Sequence, residues 1–441
     1  MIKAAQIAKK WNVNERRVRQ LARQGRIKGA VFINRRWYIN ENAPKPTLKA
    51  YKDSLAARKY PIFKSSDGKY GECGGKFMPE AFAKFFDPIL PAFEQMVSTG
   101  QFERKMKECL KDTQMFIPEN FNRTLGDVKL IIKREDQNTS GTVYSNQAFP
   151  FAMLFKRLKK RKLLLACGSA SFLEAYAEAC TQLKVPYYAY ISYDNYLKQK
   201  KAFEDVINKY HPEHLFICEG AASLFDAVNY GFRQYLYQDA QDFYVLYDAL
   251  GPAPIPQIVE FCQSVVGRSA QIMLKRMGIE KLSAIVAPAG VGSNALGIFN
   301  SAKSYTNLIL VESTDSNPVL SQGHFGGLCG FTTLTLASKG FCDFDLKPVC
   351  PEISFPAISP KLANGVLSKR IKIAGVTDKE AMLACKEFYE LEGIFPCLAD
   401  GYCLAYVKKR AIRMKKGTVL MCFTCKGEKD REFINKTLRE Q

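Results

Sequence analysis

Histidine and tryptophan are nearly missing from this chain, with three His and two Trp among 441 residues. A His-based metal centre or a His-driven catalytic triad therefore has little to draw on. His211 and His214 have no Cys or carboxylate at ligand spacing and read as structural or solvated. No apolar run reaches the ~18 residues that span a bilayer, so a membrane is not an expected partner. The first eleven residues hold three lysines and no apolar stretch, unlike a secretory leader. The 14 cysteines are scattered through apolar segments. Cys422 and Cys425 make one CxxC without a second, so the thiols read as reduced small hydrophobes of a cytoplasmic protein, with no metal expected. Acidic residues are scarce at one end: residues 1–60 hold 16 Lys and Arg against 3 Asp and Glu. That segment supplies most of the net charge of +21, as a polyanion-binding module would.

What is present at that end has a local pattern. Residues 4–11 place Ile7, Ala8 and Trp11 on one helical face. Asn12-Val13-Asn14 makes a turn in which Asn14 can cap the next helix. Residues 15–24 then put Val18, Leu21 and Ala22 inward and Arg16, Arg17, Arg19, Gln20 and Arg23 outward, and Gly25 stops the helix. Residues 30–33 and 36–39 flank Asn34-Arg35 as a small hairpin with Arg35 and Arg36 at its tip. The order resembles the excisionase and MerR type of winged helix-turn-helix, which implies DNA as a partner. Arginines on such a helix suit phosphates and guanine edges, and a single module of this size implies a homodimer. The bland alternative is a solvated helix in a protein-binding adaptor. Both tryptophans, Trp11 and Trp37, fall in this module.

From about residue 68 strand-length apolar runs alternate with amphipathic helix-length stretches. Strands are expected at 128–132, 162–166, 187–191, 214–218, 243–246, 284–287, 307–311 and 418–423. Helices are expected at 146–160, 171–183, 197–209, 257–277 and 379–390. The alternation predicts an α/β body of two open parallel sheets covered by helices. The expected division is a DNA-binding module at 1–48, a linker at 49–67, one α/β domain at 68–265 with a segment crossing over, and a second at 266–441.

Five segments of this body, in order, resemble the tryptophan synthase β chain. They are Gly71-Glu72-Cys73-Gly74-Gly75 with Pro79; Lys133-Arg134-Glu135-Asp136 followed by Gly141 and Asn146-Gln147; Gly251 to Pro256; Gly290-Val291-Gly292-Ser293-Asn294-Ala295; and Glu392-Gly393-Ile394-Phe395-Pro396 with Thr424 to Asp430. The resemblance implies the fold-type II architecture of pyridoxal phosphate (PLP) enzymes, with the cofactor between two domains. It also implies an anion cup at Gly290, Gly292, Ser293 and Asn294, a hydroxyl facing the pyridine nitrogen at Thr424, and a pocket-lining carboxylate at Glu392. An α-chain-like protein partner comes with the same resemblance.

The reacting groups depart from the family's pattern. The family's Schiff-base lysine falls on Tyr144, and a phenol forms no imine. Its general-base glutamate falls near Cys167, and its glycine-rich substrate loop near Phe172 and Leu173. Val143 and Ala253 take two histidine positions. No covalent cofactor is therefore expected, while PLP or another phosphate-bearing ligand remains open as a non-covalent guest. Three readings stand. The first is a DNA-binding, ligand-responsive regulator on a degenerate enzyme body, sensing a small anionic metabolite. The second is an active PLP-dependent lyase or synthase acting on amino acids through another lysine. The third is a non-catalytic interaction scaffold.

Overall fold

The computed structural model describes residues 1–23, 27, 30–33, 36–45, 68–77, 86–160, 162–212, 214–219, 224–237, 243–245, 248–328, 330–338, 341–342, 349–414 and 416–440. The expected linker at 49–67, the stop at Gly25 and the hairpin tip at Asn34-Arg35 lie outside them. The chain forms two compact units, Met1–Lys64 and Ser65–Gln441.

In the first unit, helix Ala4–Lys10 and helix Glu15–Arg23 bury Ile7, Ala8, Val18, Leu21 and Ala22 together with Trp11 and Ile39. The Asn14 side chain accepts the backbone N–H of Arg16 at 2.8 Å, which satisfies a donor the helix itself leaves unpaired. Strands Val31–Ile33 and Arg36–Ile39 pair antiparallel, and Ile2–Lys3 pairs along the other edge of Arg36–Ile39. The outward helical face is not a uniform row of free arginines: Arg19 turns back onto Glu15, with Nη2 2.6 Å from the carboxylate. Arg16, Arg17 and Arg36 are exposed. The side chains of Gln20 and Arg23, and all of Arg35, lie outside the described set.

The second unit holds two main sheets. The smaller is all parallel, in the order His214–Cys218, Tyr187–Ser192, Leu163–Cys167, Phe243–Val245. The larger runs Ile371–Val376, Asn307–Ser313, Ala284–Pro288, Gly417–Phe423, Val128–Arg134, Met115–Phe116. Only its edge strand Met115–Phe116 is antiparallel. Strands such as Leu163–Cys167 and Ala284–Pro288 are buried at every residue. They are covered on both faces, which is why they read as unbroken apolar runs. A further antiparallel sheet joins His324–Leu328, Phe331–Thr335, Cys73–Gly74 and Lys69–Tyr70.

The expected division at 265/266 falls inside one continuous helix, Ile255–Arg276. The chain also crosses over early, because Met115–Phe116 and Val128–Arg134 belong to the sheet built mainly from later residues. Tyr402, Phe388, Leu130, Val286 and Met421 lie in that sheet's core. The 12 described cysteines are buried and unpaired. Among the described residues no group of three or more His, Cys, Asp or Glu could hold a metal ion, and no helix is long and apolar enough to cross a membrane.

Candidate functional site

Strand Ala284–Pro288 ends in the turn 289–292, and helix Ser293–Ile298 follows. The turn needs its glycines. Gly292 sits at φ +125°, and a Cβ there would come within 2.5 Å of Leu362 Cδ1. At Gly290 a Cβ would meet the Glu352 carbonyl at 2.8 Å. Val291 is accommodated, and its carbonyl accepts the Ser359 N–H at 2.8 Å. Ser293 and Asn294 are buried, and neither amide atom of Asn294 has a partner.

The opposite wall is fixed by a backbone zipper. Val143 N donates to Thr424 O at 2.7 Å, and Lys426 N donates to Gly141 O at 3.0 Å. Tyr144 follows, capping helix Ser145–Arg157, and so faces the same space as Thr424. The cup therefore brings Gly290, Gly292, Ser293 and Asn294 together with Tyr144 and Thr424. Sequence reasoning missed Asp248, Glu352 and Ala399, which complete the wall. The space within this half-open cup is about 30 Å3. That admits a water molecule or two, whereas small-molecule sites run to ~300–1,000 Å3. No lysine lines this space among the described residues.

Aromatic rings take up room beside the cup. Tyr144 meets Phe172 edge-on at 5.2 Å between centroids, and Phe172 rests on Tyr176 at 4.7 Å. Burial, then the carboxylates of Asp248 and Glu352, push the Tyr144 hydroxyl well above the usual phenol range, so it remains a neutral group.

Asp248 is the group that alters the cup's chemistry. Ser293 Oγ donates to its Oδ2 at 2.9 Å, and Gln147 Nε2 donates to its Oδ1 at 2.6 Å. Burial pushes its pKa up to about 6 in spite of these donors. From Gln147 the network passes to Gln263 at 2.9 Å and Asn146 at 3.3 Å, and on to Glu135 at 3.1 Å, which pairs with the buried Lys133 at 3.4 Å. Asp248 and Gln147 lie 101 positions apart, and no local pattern signals that they meet.

Two expected site residues fall elsewhere. Glu392 ends helix Asp378–Glu392, and its carboxylate accepts the Phe121 N–H at 2.7 Å, capping another helix away from the cup. Ala399 lines the cup instead. Cys167 closes strand Leu163–Cys167, fully buried, and burial raises its thiol far above the usual range, which leaves it inert as a base or nucleophile.

Thr424 lines the cup. Its hydroxyl lies 3.0 Å from Cys397 Sγ, and its N–H reaches Asp400 at 3.0 and 3.1 Å. One amine does come close to the cup. The Lys429 ammonium pairs with Glu352 and, at 3.0 Å, with Asp430. Burial alone would lower its pKa, but Asp430, the Cys425 thiol and Glu352 outweigh burial and hold it well above the usual lysine value. It is therefore a charged structural partner and not a nucleophile. Outside the cup lies a cavity of about 620 Å3, lined by Lys201, Lys209, Lys426, Lys429 and Arg431 against Glu174, Asp205, Glu428 and Glu432.

Against known proteins, a family model described as pyridoxal-phosphate dependent enzyme matches residues 107–424. The chain is 28% identical over 389 residues to the tryptophan synthase beta chain of Bacillus subtilis (strain 168), covering 85% of this chain and 97% of that protein. The crystal structure of a fungal L-serine ammonia-lyase from Rhizomucor miehei matches with a TM-score of 0.58 and 15% identity, over 75% of this chain and 99% of that one. At that identity the likeness is one of fold.

Proposed function

The chain belongs to the pyridoxal-phosphate dependent enzyme family, and from that membership we propose a divergent member that binds DNA through its N-terminal unit and has given up covalent cofactor chemistry. The observation that carries this reading is the N-terminal unit itself. Two short helices, an Asn14-capped turn and a three-stranded sheet support reading it as a winged helix-turn-helix, and Arg16, Arg17 and Arg36 are exposed for phosphate contact in that reading. Its charge balance, 16 basic against 3 acidic residues over 1–60, suits phosphate contacts. Tyr144, at the position that the tryptophan synthase β resemblance gives to the Schiff-base lysine, supports the second half of the reading. The ligand of such a regulator is read onto the 620 Å3 outer cavity, where five cations face four carboxylates. That lining suits a small metabolite carrying both an anionic and a cationic group, such as an amino acid. The functional species in this reading is a homodimer.

The test is fluorescence anisotropy of the full chain on a random-sequence DNA duplex. With four phosphate contacts the salt slope is about −3.6, so affinity falls roughly 150-fold between 50 and 200 mM salt. Arg16→Ala reduces that slope by about 1. Affinity that stays flat with salt ends the DNA reading.

One observation favours a second reading, an active PLP-dependent lyase acting on amino acids. The family match spans most of the body, and both named relatives are enzymes. In that reading a lysine other than one at position 144 supplies the amine, and Lys429 would first have to leave its pairs with Glu352 and Asp430. Protein that turns yellow with PLP, and loses the colour with borohydride, would establish it.

A further inference from the structure

We propose that Asp248 serves as a built-in anion, seated where a phosphate-bearing cofactor would need to sit, so that this chain's cup is filled by its own side chain and does not take PLP. The inference stands on the body alone and is independent of DNA binding.

Three observations converge on it. First, the hydroxyl with which the glycine turn would meet an anion is already donated: Ser293 Oγ binds Asp248 at 2.9 Å. Gln147 satisfies the other carboxylate oxygen at 2.6 Å. Second, Asp248 adopts φ +61°, a left-handed conformation that few non-glycine residues take. Third, what remains of the cup is about 30 Å3, lined by Tyr144, Ala399 and Thr424. These residues do not fit PLP. Among the described residues no amine lines the wall to tether the pyridoxal ring. The Tyr144 ring, packed edge-on against Phe172, lines the space instead, and a phosphate there would face the Asp248 carboxylate. At pH 8, two units above the Asp248 pKa of about 6, an entering phosphate must meet the carboxylate's repulsion or protonate it, which weakens affinity roughly a hundredfold.

The groups around Asp248 sharpen the inference. Gln147 is itself held by Gln263, whose Nε2 also donates to the Val143 carbonyl at 3.1 Å, one residue from Tyr144. The carboxylate is thus tied to the backbone that positions the phenol. Tyr144 and Asp248 act as one replacement, the ring filling the cofactor's space and the carboxylate filling the anion's.

The experiment uses the full-length chain and two probes, inorganic phosphate and PLP, read by calorimetry and by visible absorbance. Wild type shows no saturable heat with phosphate up to about ten millimolar, and no absorbance band with PLP. Asp248→Ala frees Ser293 and vacates the seat, and it acquires saturable phosphate binding at least a hundredfold tighter than any residual wild-type signal. Asp248→Ser, which keeps a small polar group, gives the same gain and serves if the alanine variant fails to fold. Wild type that binds either probe as tightly as the variants overturns the proposal. So do folded variants that gain nothing, or a borohydride-trapped phosphopyridoxyl adduct on wild type. DNA affinity, measured alongside, keeps its salt slope whichever way the phosphate result falls.

Discussion

Asp400 offers the sharpest test of how the site is held. It is fully buried, accepts the Thr424 N–H at 3.0 and 3.1 Å, and accepts the Cys397 thiol at 3.0 Å. Burial pushes its pKa from the ordinary 3.8 up to about 8. The folded chain therefore holds this proton more tightly than the unfolded chain does. Its contribution to stability is complete below 3.8, shrinks as pH rises, and is fully lost above 8. Between pH 6 and pH 9 the loss covers about two pH units, or roughly 3 kcal/mol at 1.36 kcal/mol per unit. Asp248, with a pKa of about 6, loses stability in the same direction but over a lower window, so starting at pH 6 largely removes it. Asp400→Asn abolishes the titration. Urea unfolding followed by circular dichroism, at pH 6 and at pH 9, gives the comparison. Wild type should weaken by about 3 kcal/mol more than the variant over this interval. Equal losses in the two proteins would show that Asp400 titrates normally, and that the space around Thr424 is wetter than the geometry describes.

Two further outcomes follow from local geometry. Asn14→Ala removes the acceptor for the Arg16 N–H and lowers the stability of the N-terminal unit by ~1 kcal/mol. Because Trp11 and Trp37 are the chain's only tryptophans, their fluorescence reads that unit alone, and an unchanged midpoint would dismiss the cap. Gly292→Ala forces a side chain into φ +125° and against Leu362, at a cost of ~1–3 kcal/mol in thermal or urea unfolding. A variant as stable as wild type would show that the turn relaxes.

Strands covered on both faces, such as Leu163–Cys167 and Asn307–Ser313, were legible because burial leaves a continuous apolar run, and the part-exposed edge strand His214–Cys218 was legible from its own apolar Leu215–Cys218 stretch. Ile371–Val376 was not legible. It is an edge strand whose exposed Lys372 and unbranched Gly375 break the run. The hairpin of His324–Leu328 and Phe331–Thr335 was missed for a similar reason, since Gly326 and Gly327 dilute its β signal. In the site, residues carried by a contiguous segment could be placed: the Gly290 turn, Tyr144 and Thr424. Glu392 was misplaced because a segment match does not say which of its residues points at the cup, and there it is Ala399. Asp248, Glu352 and Lys429 come together from three distant stretches, and only the assembled sheets bring them within reach of one another.

The pairing of Val128 with Gly417 inside the larger sheet has a price during synthesis. These strands emerge from the ribosome about 290 residues apart, which at ~5–20 residues per second is roughly 15–60 s. For that interval the apolar Val128–Arg134 segment has no neighbour on its Gly417–Phe423 side, while the whole smaller sheet is made and able to close first. The nascent protein is thus most exposed to aggregation and to chaperone capture at a stage when half its architecture is already complete.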